Sequence, residues 1–284
     1  MTNLFAQPVT LSQRTQDESV QSIPELRNNI ALSQDKPWLA SASRGGAIHL
    51  WDMAAHNPTH AITLTGVISP VLSLEFSAEN RWLAAGALDG SAHLWDLTVA
   101  GSASQPVRRY EQNQPDQPVW DVALSPDGHW LATVTPVDST VRLWDVLETN
   151  GDMQPVELTR TDGVVHVWAA AFSPDNRWLA TAWSDRSVLL WDTTNLGSAP
   201  IKLDKPTDAS TILGLSSNDI INFSPDGHWL ATALEEGIVR LWDMTAIDSP
   251  AATPADTNEF LEPNNRFTAI AFSDDSRYLA MVSI

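Results

Sequence analysis

Five copies of the tripeptide Leu-Trp-Asp, at Leu50-Trp51-Asp52, Leu94-Trp95-Asp96, Leu143-Trp144-Asp145, Leu190-Trp191-Asp192 and Leu241-Trp242-Asp243, recur at intervals of 44, 49, 47 and 51 residues. A second phrase, Trp-Leu-Ala, begins at Trp38, Trp82, Trp130, Trp178 and Trp229, so that the paired tryptophans lie 13 residues apart in four repeats and 14 in the third. Two phrases that keep step over the whole chain define a repeat protein. A period in this range belongs to propellers and solenoids, architectures that leave activity open.

Within one unit, short apolar runs alternate with turn formers. Val167-Trp168-Ala169-Ala170-Ala171-Phe172-Ser173 leads through Pro174-Asp175-Asn176-Arg177 into Trp178-Leu179-Ala180-Thr181-Ala182, and Ser184-Asp185-Arg186-Ser187 leads into Val188-Leu189-Leu190-Trp191-Asp192. Proline presets φ, and Asp, Asn and Gly accommodate tight reversals, so each unit reads as a meander of short antiparallel strands. Ala61–Leu64, Val107–Tyr110, Val156–Leu158 and Ile201–Leu203 follow as candidate outer strands.

Phe223 to Thr232 reads Phe-Ser-Pro-Asp-Gly-His-Trp-Leu-Ala-Thr and is nearly repeated at Leu124–Thr133 and Phe172–Thr181. With the Trp-Asp endings, these phrases resemble the WD-repeat β-propeller family over roughly residues 28–284. The resemblance implies an all-β propeller of four-stranded antiparallel blades around a central channel, with five full repeats and an incomplete sixth. The units lie near residues 28–64, 71–110, 118–158, 166–203 and 219–261, with a partial unit at 267–284. The Gly-His pair that the family often places before the innermost strand is missing, and His166 is the nearest histidine to that position.

The sixth unit reads through Phe267, Ile270-Ala271-Phe272-Ser273 and Tyr278-Leu279-Ala280 without a third strand or a Trp-Asp. Residues 1–27 form an N-terminal lead in which Val9-Thr10-Leu11 resembles a ring-closing outer strand. Because closed propellers avoid long bare edges, the expectation is a truncated or open ring, with further blades or a second chain covering the edge.

Ten of the 13 tryptophans occupy the two repeat positions, where a flat ring can fill the wedge between adjacent blades. Asp52, Asp96, Asp145, Asp192 and Asp243 are spread one per blade, which makes them structural and not a metal or catalytic cluster. The turn acids Asp89, Asp138, Asp185 and Glu236 are expected to accept backbone hydrogen bonds. No metal, cofactor or catalytic group is expected, since the chain has no cysteine and none of the common nucleotide, hydrolase or zinc motifs. His129 and His228 share a register with Arg81 and Arg177, and His49 and His93 with Arg142 and Arg240, an exchange that an imidazole-dependent reaction would not tolerate.

The remaining tryptophans are the lead to function. Trp120 and Trp168 start innermost strands in the same register, and Trp183 ends the neighbouring strand, so all three are expected near one face of the propeller. Either they pack at the channel mouth or, ringed by Asp121, Asp138 and Asp185, they bind a peptide carrying Arg or Lys. A formal charge of -19 argues against direct contact with nucleic acid or anionic membrane, and the absence of a long apolar run or basic leader suggests a cytoplasmic protein.

Three functions fit the sequence. The foremost is a non-catalytic scaffold for protein or peptide partners. The others are a sensor segment of a larger signalling protein whose effector domain is absent, and an enzyme with its site at the channel mouth.

Overall fold

The computed structural model describes residues 30–33, 36–43, 45–54, 61–98, 106–111, 117–136, 139–148, 154–160, 165–203, 220–234, 238–247, 258–261 and 267–283. Val9-Thr10-Leu11, Asp138, Glu236 and the connection 204–219 lie outside them. The first blade runs β1 (Ile30–Leu32), β2 (Trp38–Ala42), β3 (Ile48–Asp52) and β4 (Ala61–Leu64), and the second β5 (Val71–Phe76), β6 (Trp82–Ala87), β7 (Ser91–Asp96) and β8 (Arg108–Glu111). The third comprises β9 (Asp121–Leu124), β10 (Trp130–Thr135), β11 (Thr140–Asp145) and β12 (Val156–Thr159), and the fourth β13 (Val167–Phe172), β14 (Trp178–Trp183), β15 (Val188–Asp192) and β16 (Ile201–Leu203). The fifth holds β17 (Ile220–Phe223), β18 (Trp229–Leu234), β19 (Ile238–Asp243) and β20 (Asn258–Leu261), and the sixth unit only β21 (Phe267–Phe272) and β22 (Leu279–Ser283).

Each full blade is an antiparallel meander in chain order, and the sixth unit is a two-stranded sheet. Consecutive innermost strands neighbour one another from β1 through β5, β9, β13 and β17 to β21. Among the described residues β21 and β1 share no comparable contact, so the ring is open between the sixth unit and the first. Beside that opening, Ile30 and Leu32 are 61% and 69% exposed and Tyr278 is 67% exposed.

Turn chemistry explains the meander. The reversal between first and second strands needs a left-handed residue, supplied by Asn80, Gly128, Asn176, Gly227 and Ser276 with φ between 55° and 73°. In the third, fourth, fifth and sixth units a Ser hydroxyl (Ser125, Ser173, Ser224, Ser273) donates to the turn Asp two residues on and accepts from the backbone N–H five residues on. These local bonds fix the hairpin before any packing between blades.

Between blades the core is built by alternation. Leu83, Leu131, Leu179 and Leu230 are fully buried and pack toward the preceding blade with the third-strand indoles Trp95, Trp144, Trp191 and Trp242. The alanines of the Trp-Leu-Ala phrase face the following blade and leave room for its large side chains. The indole N–H groups of Trp51, Trp144, Trp191 and Trp242 donate to Ser41, Thr133, Thr181 and Thr232 at 3.0 to 3.1 Å.

The second blade breaks this pattern. Ala85 stands where the others have Ser or Thr, and Trp95 Nε1 is buried without a partner. Nearby, His93 donates from Nε2 to Ser91 Oγ, whose proton goes to Asp89, and His93 Nδ1 also lacks a partner. Burial, then the Arg109 charge, lowers the His93 pKa to about 4, so this imidazole is neutral. Ala85→Thr is expected to give Trp95 its missing acceptor and stabilise the protein by ~1 kcal/mol, measured as a shift in denaturant midpoint. A destabilised Ala85→Thr protein would show that the site has no room for the hydroxyl.

Candidate functional site

The channel mouth is shaped by a backbone irregularity. β5, β13 and β21 each shift register against the next strand at their second residue, skipping Leu72, Trp168 and Thr268. A bulge leaves one residue out of the ladder and re-aims its side chain. Trp120 holds the same position just ahead of β9, where its N–H donates to Val134 O at 2.9 Å. Both indoles are half-buried, and their rings meet edge to face with centroids 5.8 Å apart. His166 lies 5.8 Å from Trp168, held by a 2.7 Å bond from its Nδ1 to Pro136 O.

Trp183 does not join this pair. It is fully buried in the core between the third and fourth blades, and its Nε1 donates to Thr181 Oγ1 at 2.8 Å. Thr181 accepts from both Trp183 and Trp191 and donates to Leu189 O, which uses all of its hydrogen-bonding capacity. The expectation of three neighbouring rings at one face is therefore corrected to two. Two-residue alternation along β14 gives the reason, because it puts Trp183 on the core face with Leu179 and Thr181.

The three acids of the sequence reading differ in setting. Asp121 Oδ1 accepts from Ser73 Oγ at 2.9 Å and from Val122 N at 3.0 Å, while Oδ2 accepts from Ala170 N at 3.1 Å. It therefore ties the innermost strands of the second, third and fourth blades together along the channel. Glu75 makes a parallel tie, accepting from Leu124 N at 2.9 Å. Burial and then the Asp121 carboxylate push the Glu75 pKa well above the usual glutamate value, opposed by the Leu124 N–H. Asp185 is engaged by Arg160, whose Nη1 reaches both carboxylate oxygens at 3.0 to 3.1 Å and Ser187 Oγ at 2.8 Å. Asp138 lies outside the described residues.

The Trp-Asp carboxylates sit at the opposite ends of the strands. Asp52, Asp96, Asp145, Asp192 and Asp243 each accept from the backbone N–H two residues on. Arg81 and Arg177 lie over Trp82 and Trp178 at 4.5 and 4.6 Å and pair with Asp96 and Asp192, while His129 stacks on Trp130 at 4.7 Å and meets Asp145 at 3.3 Å. Arg and His exchange at this position because both offer a flat face to the indole and a donor to the carboxylate. Among the described residues no three His, Cys, Asp or Glu side chains come together in a group that could hold a metal ion. No helix among them is long and apolar enough to cross a membrane.

Sequence reasoning missed the Ser73–Asp121–Ala170 tie, whose partners are about one repeat apart, the outer strand β20 of the fifth blade and the bulges at Leu72 and Trp168.

Residues 24–52, 59–96, 104–145, 159–192 and 208–243 match the family described as WD domain, G-beta repeat. Among solved structures the chain is similar to the β-propeller domain of Myceliophteria thermophila Cps50 (Swd1), at 17% identity and a TM-score of 0.71, covering 93% of this chain and 81% of that one. No curated protein matches the chain. With repeats matched over more than half of its length and blades of four antiparallel strands stacked through their indoles, the chain belongs to the WD-repeat β-propeller family.

Proposed function

We propose that this propeller is a non-catalytic platform that captures a peptide or an extended protein segment carrying Lys or Arg at the channel mouth. The observation that carries the reading is the Trp120–Trp168 pair, two half-buried rings in edge contact at the same position of successive blades. Indoles so placed offer area and a π face to an ammonium or guanidinium group. Asp121, half-buried between the same blades, adds negative charge below them, and the net charge of -19 favours encounter with a basic partner. The WD-repeat fold is compatible with this use.

The test is an array of Lys- and Arg-containing peptides, each with a partner in which Lys is replaced by norleucine or Arg by citrulline. Combined Trp120→Ala and Trp168→Ala substitution is expected to weaken the selected peptides by at least about tenfold while the melting temperature moves by only a few degrees. Unchanged binding in the double variant, or equal binding of the uncharged peptides, would overturn the reading.

A further inference from the structure

Building on the peptide-capture reading, we infer that His166 supplies the hydrogen-bond acceptor for the cation at the channel mouth. The site then selects an ammonium or guanidinium group that still carries N–H donors over a fully methylated ammonium.

Hydrogen bonding fixes the state of each imidazole nitrogen. His166 Nδ1 lies 2.7 Å from Pro136 O, and a carbonyl oxygen can only accept, so Nδ1 carries a proton. In the neutral ring Nε2 is then a bare acceptor. Among the described residues no group hydrogen-bonds to Nε2, and the side chain is half-buried.

The ring is also held in place. His166 N donates to Ser184 Oγ at 3.2 Å and His166 O accepts from Ser184 N at 2.8 Å, which clamps the residue to the turn after β14. With Nδ1 tied to the third blade and the backbone tied to the fourth, the imidazole is preorganised across the seam between them.

Position among the indoles decides what Nε2 can reach. Trp168 is the middle of three rings, its centroid 5.8 Å from His166 and 5.8 Å from Trp120, at interplanar angles of 47° and 70°. A cation on the π face of an indole lies within about 6 Å of its centroid, which is also the distance of the imidazole from Trp168. An N–H of such a cation comes within reach of Nε2 while the charge stays against the indoles.

The described carboxylates of the region already have donors. Asp121 accepts with both oxygens from Ser73, Val122 and Ala170, and both oxygens of Asp185 are held by Arg160. They supply negative charge to the site. An ammonium or guanidinium group stripped of water also needs acceptors for its N–H groups, and each one left unmade costs affinity. Nε2 meets that need for one of them. A trimethylammonium group keeps the charge and the attraction to indole but has no N–H to give.

The experiment uses the whole chain at about pH 8, where histidine side chains are ordinarily neutral. The probe is the tightest Lys peptide of the array in two forms, with the lysine unmodified or Nε-trimethylated. The parent protein is expected to bind the unmodified form at least about tenfold more tightly. His166→Phe keeps a flat ring without an acceptor and should lose that preference. In protein labelled with ¹⁵N-histidine the Nε2 resonance of His166 should move upfield with the unmodified peptide and stay in place with the trimethylated one, a readout that needs no variant. Equal or tighter binding of the trimethylated form, with both forms weakened by Trp120→Ala and Trp168→Ala, overturns the role of His166 and leaves peptide capture standing. A preference that persists in His166→Phe, or an unmoved Nε2 resonance, overturns it as well. Binding that the two Trp substitutions do not weaken overturns the capture reading and the acceptor with it.

Discussion

Replacing Trp191 by Ala is expected to cost ~3–5 kcal/mol of stability. The ring lies in the core between the third and fourth blades and donates to Thr181 Oγ1 at 3.0 Å, so its loss opens a cavity between two sheets that can close only by tilting against each other. A typical domain is stable by ~5–15 kcal/mol, and the variant should unfold at a much lower denaturant concentration than the parent. Trp120→Ala, at a half-buried ring, is expected to shift the midpoint far less. A denaturation series followed by circular dichroism makes the comparison. Equal effects at the two positions would mean that the repeat indoles are not what wedges the blades.

The second large effect has the opposite sign. Glu75→Gln should stabilise the protein at neutral pH, because the amide oxygen still accepts from Leu124 N while the cost of burying a charge beside Asp121 disappears. The folded-state pKa of Glu75 is raised, so the native protein holds this proton more tightly than the unfolded chain does. The resulting stability is fully present below the unfolded glutamate pKa and is lost as pH rises through the folded value. At pH 7 the Gln variant is expected to melt at a higher temperature than the parent. The difference should vanish in acid, where Glu75 is protonated in both states, provided that melting is compared at several pH values. A Gln variant less stable than the parent at pH 7 would show that the charged carboxylate is needed for the tie to Leu124. His93, whose pKa is lowered to about 4, works the other way and removes stability as pH falls from about 6.5 to 4.

Fold class was legible because it is written in regular intervals. The tryptophan pairs mark second and third strands, the Ser-Pro-Asp-Gly phrases mark the hairpins, and alternation within each run assigns the core face. Contacts between blades were not legible to the same degree. Asp121 binds Ser73 and Ala170, each about one repeat away, and no local pattern reveals that a side chain on one innermost strand satisfies the N–H of the next. Trp183 was misplaced because its position at a strand end was weighed above its parity with Leu179 and Thr181, although that parity is visible in the sequence. The bulges at Leu72 and Trp168 also escaped, since a one-residue register shift leaves no composition signal where its flanks are apolar.

The central claim is that regularly spaced indoles hold the sheets as a radial stack, and hydrogen exchange at the indole N–H groups of protein labelled with ¹⁵N-tryptophan tests it most directly. The protons of Trp144, Trp183, Trp191 and Trp242, each donated to a Thr hydroxyl between blades, are predicted to exchange far more slowly than free indole. Exchange of these four at the rate of indole in water would place the rings in solvent and contradict the account.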